Sequence, residues 1–440
     1  MSDRVIFHID VNSAYLSWEA VDRLENGETT DLRLIPSAVG GDIATRHGVI
    51  LAKSVPAKKY RITTGEPVVD ALRKCPELVL VKPRHGLYHE KSKAFINILR
   101  QYSDTIEQFS VDEAFVDMTG TRRLFGEPKD AADRIRNQVR DELGFTVNVG
   151  VSSNKLLAKM ASDFEKPDKT HTLFPEEVPY KMWPLPIGDL FFAGKSTVKK
   201  LNSLGIFTIG DLAKTDKYVI VQAMKKHGEV LWRYANGLDD SPVEPVRPDN
   251  KGYGNSTTIS FDVTDAAAAK GILLKLTDKV CQRLRNDRVK ADTVTVQIKY
   301  NDLTKASHQC GLSAATNITK EIYDTVCRLF DEKWDGTPIR LLGVSTKVAI
   351  ADNGRQMDLF DDTDYEKLEK LDRAMDDIKS RFGAGAVSRA SDLKKEDKSY
   401  ISPSFFMALE SPSSLISSVT ISAHSLTSSA AFPMATPILQ

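Results

Sequence analysis

The stretch SPVEPVRPDN at 241–250 carries three prolines in ten residues. Proline locks φ and donates no main-chain hydrogen bond, so neither a helix nor a central strand runs through such a segment. It reads as an interdomain linker. A chain of 440 residues is also too long for one core, which makes the break a true division. On both sides, short β-branched runs mix with amphipathic helical stretches but show no strict βαβ repeat. That pattern predicts an α+β fold and not a doubly wound sheet.

Before the linker, VIFHIDV (5–11) predicts a buried strand that ends near an aspartate. Ser13 is placed to cap a helix through Tyr15, Trp18 and Val21 to Leu24, closed by the turn at Asn26-Gly27. Residues 88–101 predict an amphipathic helix with Phe95, Ile98 and Leu99 on its apolar stripe. IEQFSVDEAFVDM (106–118) alternates apolar and polar residues and predicts two strands or a tight hairpin. A helix at 129–143, a strand at 145–152 and a helix at 152–164 follow. Residues 185–240 predict a small helical domain. Strand-like runs with two helical stretches return at 253–351, and an acidic, helix-prone segment follows them.

Hydrophobic residues make up 41% and charged residues 27%, the composition of a globular domain protein. The formal net charge is zero, so any basic surface must come from local segregation. Yet residues 247–351 hold 16 Lys+Arg against 12 Asp+Glu, an excess of 16 − 12 = +4, with RLRNDRVK (283–290) the densest run. The cysteines at 75, 281, 310 and 327 form no C-x-x-C pair, which argues for free thiols in a reducing cytoplasm. No apolar run reaches membrane-spanning length, and Asp10 inside the first run makes it a poor signal peptide. Residues 400–440 hold eleven serines and one charged residue, Glu410, a composition that does not support a packed core.

Three carboxylates stand at the ends of apolar runs: Asp10 after one, and Asp112 with Glu113 between two others. Hard divalent cations take oxygen ligands from carboxylates and backbone carbonyls. Two such ions support phosphoryl transfer to a hydroxyl. Neighbouring side chains on a flat strand point to opposite faces. Asp112 and Glu113 therefore share a site only at a turn or strand end. By spacing alone the plainer reading leads: a solvated hairpin tip and a helix cap.

FHIDVNSAY (7–15), FSVDEAFVD (109–117) and GVSSNKLLAKMASDFEKP (150–167) resemble, in order and spacing, the three palm motifs of Y-family DNA polymerases. AKKYRITTG (57–65) resembles that family's fingers motif, and QMDLF (356–360) its clamp-binding peptide. Val55-Pro56-Ala57-Lys58 lacks a tyrosine found in other branches and looks closer to the UmuC-like one. The resemblance implies a right-hand fold. Its palm would be 1–18 and 83–172, its fingers 19–82, and its helical thumb 173–240. The linker 241–250 would lead to a little finger at 251–352, a clamp peptide with a helical segment at 353–398, and a tail at 399–440.

It implies template-directed primer extension of low fidelity with bypass of damaged bases. Two Mg2+ ions, or Mn2+, would be held by Asp10, Asp112, Glu113 and the carbonyl of Val11. Tyr15 would exclude ribonucleotides, and Ser54, Lys58 and Lys166 would meet the incoming deoxynucleoside triphosphate. LFFAGKSTVKKLNSLGIFTIGDL (190–212) resembles a helix-hairpin-helix that grips DNA phosphates through Gly194, Lys195, Lys199 and Lys200. Phe192 replaces the usual first glycine there. Arg283 and Arg285 would add DNA contacts. Implied partners are primer–template DNA and the bacterial sliding clamp through Gln356, Leu359 and Phe360. A recombinase filament or accessory subunits are further candidates, and no membrane is involved. A metal-dependent nuclease would use the same carboxylates, and a non-catalytic DNA- or clamp-binding protein would keep the fold.

Overall fold

The computed structural model describes residues 4–41, 48–246, 248–350, 363–383, 385–389 and 419–421. It divides into two compact units, Met1–Pro248 and Asp249–Gln440, and their boundary lies in the proline-rich stretch. The first half of that stretch is not loose. Val243 is buried with Ile6, Phe115 and Ala158, and the Glu244 amide donates to Glu107 at 2.8 Å.

In the first unit, strand β1 (Ile6–Val11) leads into helix α1 (Ala14–Glu25). Ser13 stands at the start of α1 but does not cap it: its φ is 49° and its side chain makes no capping bond. The predicted stop at Asn26-Gly27 holds, with Gly27 at φ 89°. Next come β2 (Ser37–Gly40), β3 (Ile50–Lys53), α2 (Val55–Lys58), α3 (Val68–Lys74) and β4 (Val79–Val81). They form a three-stranded sheet, β3-β2-β4, with its own small core of Ile50, Ile62, Val68 and Leu78.

Helix α4 (His85–Leu99) buries Phe95, Ile98 and Leu99, the stripe its sequence predicts. The hairpin at 106–118 is real: β5 (Ile106–Gln108) pairs antiparallel with β6 (Glu113–Asp117). Then follow α5 (Arg122–Phe125), α6 (Pro128–Leu143), β7 (Val147–Ser152), α7 (Lys155–Ser162) and β8 (Thr170–Thr172). The strand order is β5-β6-β1-β7-β8, which puts β1 at the centre.

All six residues of β1 are buried, and this is why it reads as one apolar run. Strand periodicity still sorts them. Phe7, Ile9 and Val11 join the main core with Phe95, Leu99, Ile135 and Val139 from α4 and α6. His8 and Asp10 point to the other face, where α7 lies. Helix α7 comes close because residue 150 is glycine: a Cβ there would stand 2.0 Å from the Ala158 carbonyl oxygen. Its start is capped by Asn154, which accepts from the Leu157 amide, so it begins three residues later than the sequence predicts.

The rest of the unit is helical, as predicted: α8 (Val178–Lys181), α9 (Lys195–Asn202), α10 (Ile209–Lys214) and α11 (Lys217–Ala235). Thr208 and Asp211 form a reciprocal capping box on α10. Helix α11 is broken at Lys225.

The second unit has strand β9 (Gly252–Val263), α12 (Ala266–Asn286), β10 (Ala291–Tyr300), β11 (Lys305–Thr316), α13 (Thr319–Lys333) and β12 (Ile339–Val348). The sheet runs β11-β10-β12-β9, all antiparallel. Val294, Val296, Ile298, Leu342 and Val344 form its core with α12 and α13. Helix α14 (Tyr365–Phe382) and strand β13 (Val387–Arg389) belong to this unit too, and β13 pairs with β14 (Val419–Ile421). The rest of the Ser-rich tail and the QMDLF peptide lie outside the described residues.

Candidate active site

The predicted carboxylates meet at one end of the central strand. Asp10 and Glu113 are register partners across β1 and β6. Asp112 lies in the turn just before β6, so the adjacent pair escapes the strand's alternation. The Val11 amide donates to the Asp112 carbonyl at 3.0 Å and ties the two segments together. One Asp112 oxygen accepts from the Ser110 hydroxyl at 2.5 Å.

Asp10 is 7% exposed. Burial pushes its carboxyl up to about 6, further than the Lys166 ammonium paired with it pulls it down. Burial also raises Glu113, but the hydrogen bond with His8 and the Lys159 ammonium outweigh it and hold this carboxyl at about 2. Lys159 Nζ stands 3.1 Å from Glu113, and Asp163 bridges both lysines, 2.8 Å from Lys166 and 3.4 Å from Lys159.

Three of these neighbours escaped the sequence reading: His8, Lys159 and Asp163. The available signal was a charged or titratable residue inside an apolar pattern, as in FHID and LLAKMA. His8 is fully buried, and burial lowers it to about 4. Its Nδ1 meets the Ser162 hydroxyl at 2.7 Å. That hydroxyl also lies 2.8 Å from the Lys159 carbonyl, and His8 Nε2 faces Glu113 at 3.5 Å. Asn148, opposite Asp10 on β7, donates to the carbonyls of Ser162 and Glu165, which fixes the loop that carries Lys166.

A slot of about 140 Å3 opens beside Asp10. It is lined by Asn12, Ser54, Val55, Lys58 and Lys166, together with Arg33, which no motif indicated. A pocket that encloses a whole ligand measures roughly 300–1,000 Å3, so this one takes a tail and not a body. Burial and the Lys58 ammonium both lower Lys53, by more than the Glu66 carboxylate raises it. A larger hollow of about 620 Å3, near Arg4 and Phe174, lies toward the other end of the sheet and gathers no such lysines around a buried carboxylate.

Ser54 lines the slot but is not free to serve it. Its hydroxyl donates to Ile35 and accepts from the amides of Ala57 and Ser37. The predicted phosphate contact is therefore replaced by a structural role, the cap of α2. Tyr15 is half-buried on the first turn of α1 and stacks on Tyr88 with centroids 4.7 Å apart. Burial and the Asp112 charge both raise its phenol, so the ring lies close to the carboxylates.

Among the described residues no three His, Cys, Asp or Glu side chains form a closed metal cage. The donors still fit a divalent ion. They are hard oxygens, one of them is a buried carboxylate whose charge lacks full compensation, and such ions are commonly held by one or two carboxylates plus substrate phosphate.

Gly194 begins α9, with Lys195 and Lys199 exposed behind it. Lys200 instead donates to the Ala223 carbonyl. Phe192 has φ 70°, so the residue that replaces the usual glycine keeps a glycine's backbone. In the second unit Arg283 is exposed and lies 5.2 Å over the Tyr253 ring. Arg285 is no DNA contact: its side chain is 7% exposed and pairs with Asp372 and Asp376 on α14. The face of the sheet away from α12 and α13 carries Gln297, Lys299, Lys305 and Ser307 around a shallow hollow.

Residues 9–163 match the impB/mucB/samB family and residues 250–359 its C-terminal domain. DNA polymerase IV of Clostridium acetobutylicum is 44% identical over 395 residues, covering 90% of this chain and 100% of that relative. DNA polymerase IV 2 of Bacillus subtilis is 38% identical over 401 residues, covering 89% and 95%. A solved Y-family DNA polymerase chimera is similar in fold, with TM-score 0.66 at 22% identity, covering 78% of this chain and 98% of that one. Fold and site together define a carboxylate-centred α+β protein of the impB/mucB/samB class. The chain belongs to the Y family of DNA polymerases. These relatives carry the polymerase IV name, whereas the motif at Val55 pointed to the UmuC-like branch; the family is what the comparisons share. No helix among the described residues is long and apolar enough to cross a membrane.

Proposed function

We propose that this protein is a template-directed DNA polymerase of low fidelity that extends a primer 3′ end and bypasses damaged template bases. The observation that carries this is the meeting of Asp10, Asp112 and Glu113 beside a slot lined by Lys58 and Lys166. The carbonyl of Val11 completes the ligand set. When bound there, two Mg2+ or Mn2+ ions would activate the primer hydroxyl and stabilise the leaving pyrophosphate.

The chain's own residues do the rest. Lys58 and Lys166 hold the triphosphate tail, and Lys166 leaves Asp10 to do so. A cation at that point offsets charge as pyrophosphate departs. The Tyr15 ring closes the sugar side of the site, where a 2′-hydroxyl would collide. In this reading the palm is 1–18 and 83–172, the fingers 19–82, the thumb 173–240 and the little finger 251–352. Gly194, Lys195 and Lys199 grip the DNA backbone from the thumb. Arg283 and the open sheet face with Lys299 and Lys305 do so from the little finger. The bacterial sliding clamp is the proposed partner of Gln356, Leu359 and Phe360.

The test is a labelled primer–template, undamaged or with one abasic site, incubated with and without deoxynucleotides. Wild type should extend both templates, and Asp112→Ala should extend neither while unfolding at the wild-type temperature. Primer shortening without nucleotides would mark a nuclease instead. Substantial extension by Asp112→Ala would sink the metal assignment.

A further inference from the structure

Helix α7 ends on a charge of the less favourable sign. Asp163 is its C-cap, with the amide directed at the carbonyls of Ala161 and Met160, and a helix C-terminus favours a cation over a carboxylate. Two lysines offset this. Asp163 lies 2.8 Å from Lys166 and 3.4 Å from Lys159. Each lysine also touches one of the clustered carboxylates: Lys166 that of Asp10, and Lys159 one oxygen of Glu113 at 3.1 Å. His8 Nε2 stands 3.5 Å from the other Glu113 oxygen, so both oxygens of Glu113 face nitrogen. Lys159 is 8% exposed, and an ammonium so deeply buried needs a counter-ion. Among the described residues the carboxylates within ion-pair distance of it are those of Glu113 and Asp163.

We propose that Asp163 is a positioning residue for the metal site: it shares Lys159 with Glu113 and keeps it when Glu113 turns to a divalent ion. The proposal rests on the assignment of Glu113 to such an ion made above. Glu113 can give that oxygen to an ion only if Lys159 gives it up, because two cations on one oxygen repel each other. Lys159 already stands between the two carboxylates, so a small turn of its long side chain completes the exchange. Without Asp163 the ammonium has Glu113 alone, and freeing Glu113 would leave a buried charge unpaired. Asp163 therefore acts through the lysine and need not reach the ion. A through-space attraction by its negative charge differs in one respect: it persists whether or not Lys159 is present.

The test measures Mn2+ affinity by electron paramagnetic resonance. Full chains are held on a dideoxy-terminated primer–template with the matching deoxynucleotide, a complex that cannot react. Asp163→Asn should bind Mn2+ about fivefold more weakly, and Asp163→Glu, which keeps the carboxylate, should bind it as wild type does. Asp163 is exposed, so neither change should disturb the fold. Lys159→Met should bind Mn2+ at least as tightly as wild type, since the competing ammonium is gone. In that background Asp163→Asn should change affinity by less than about twofold, the remainder passing through Lys166. If Lys159→Met does not fold, Lys159→Gln supplies the same background. An equal loss in both backgrounds would overturn the inference, and so would wild-type affinity in Asp163→Asn. Mn2+ bound as tightly by Asp112→Ala as by wild type would defeat the metal assignment, and that result does not depend on residue 163.

Discussion

Gly150 is the position where one added methyl should do most damage. A Cβ built there lies 2.0 Å from the Ala158 carbonyl oxygen and 2.5 Å from the Ser162 amide nitrogen, whereas real Cβ atoms essentially never come nearer than 3.0 Å. Both obstacles are main chain, so no side-chain rotation relieves the clash. Helix α7 must retreat by about 3.0 − 2.0 = 1.0 Å. Overpacking of this kind costs about 3 kcal/mol. The same retreat pulls Ser162 from His8 and Lys159 from Glu113, now 2.7 and 3.1 Å apart. A displacement near 1 Å at a reacting site can lower the rate on the order of a hundredfold. Urea unfolding and single-turnover primer extension should therefore both be impaired in Gly150→Ala. Gly271→Ala is the control: it lies inside α12 with nothing within 4 Å of the added carbon. There the change should stabilise by roughly 0.5–1 kcal/mol through helix propensity. If Gly150→Ala unfolds and extends as wild type does, α7 is not seated on the sheet in this way.

Three further outcomes follow from particular contacts. Tyr15→Ala should raise ribonucleotide incorporation, read by alkaline cleavage of extension products, and unchanged sugar discrimination would refute the gate. Arg285→Ala leaves Asp376 without its cation and Asp372 with Arg389 alone; it should cost about 3 kcal/mol in unfolding of the second unit and leave the salt slope of DNA binding unaltered. Ser54→Ala removes the cap of α2 and should cost about 1–2 kcal/mol, whereas Lys58→Ala should keep wild-type stability and bind deoxynucleotides more weakly. Equal effects of the two on nucleotide affinity would restore Ser54 as a phosphate contact.

The helices at 85–99 and 128–143 and the hairpin at 106–117 were legible because their signals are local. An apolar stripe at helical spacing or an acidic turn between two strand-like runs needs no distant partner to be recognised. The proline-rich division and the three carboxylates were visible for the same reason. What stayed hidden depends on faces and neighbours. The β1 run looks uniformly apolar because both of its sides are covered, so the sequence did not reveal that His8 and Asp10 share the α7 side. Arg285 and Arg283 look alike in RLRNDRVK, yet one lies against two aspartates of α14 and the other is exposed over the Tyr253 ring. Ser54 reads as a spare hydroxyl until Ile35, Ser37 and Ala57 take all of its hydrogen bonds. Residue type and spacing, with the family resemblance they carry, determined which groups exist and in what order. Only tertiary packing decided which of them are free, because burial and pairing are properties of what lies opposite in space.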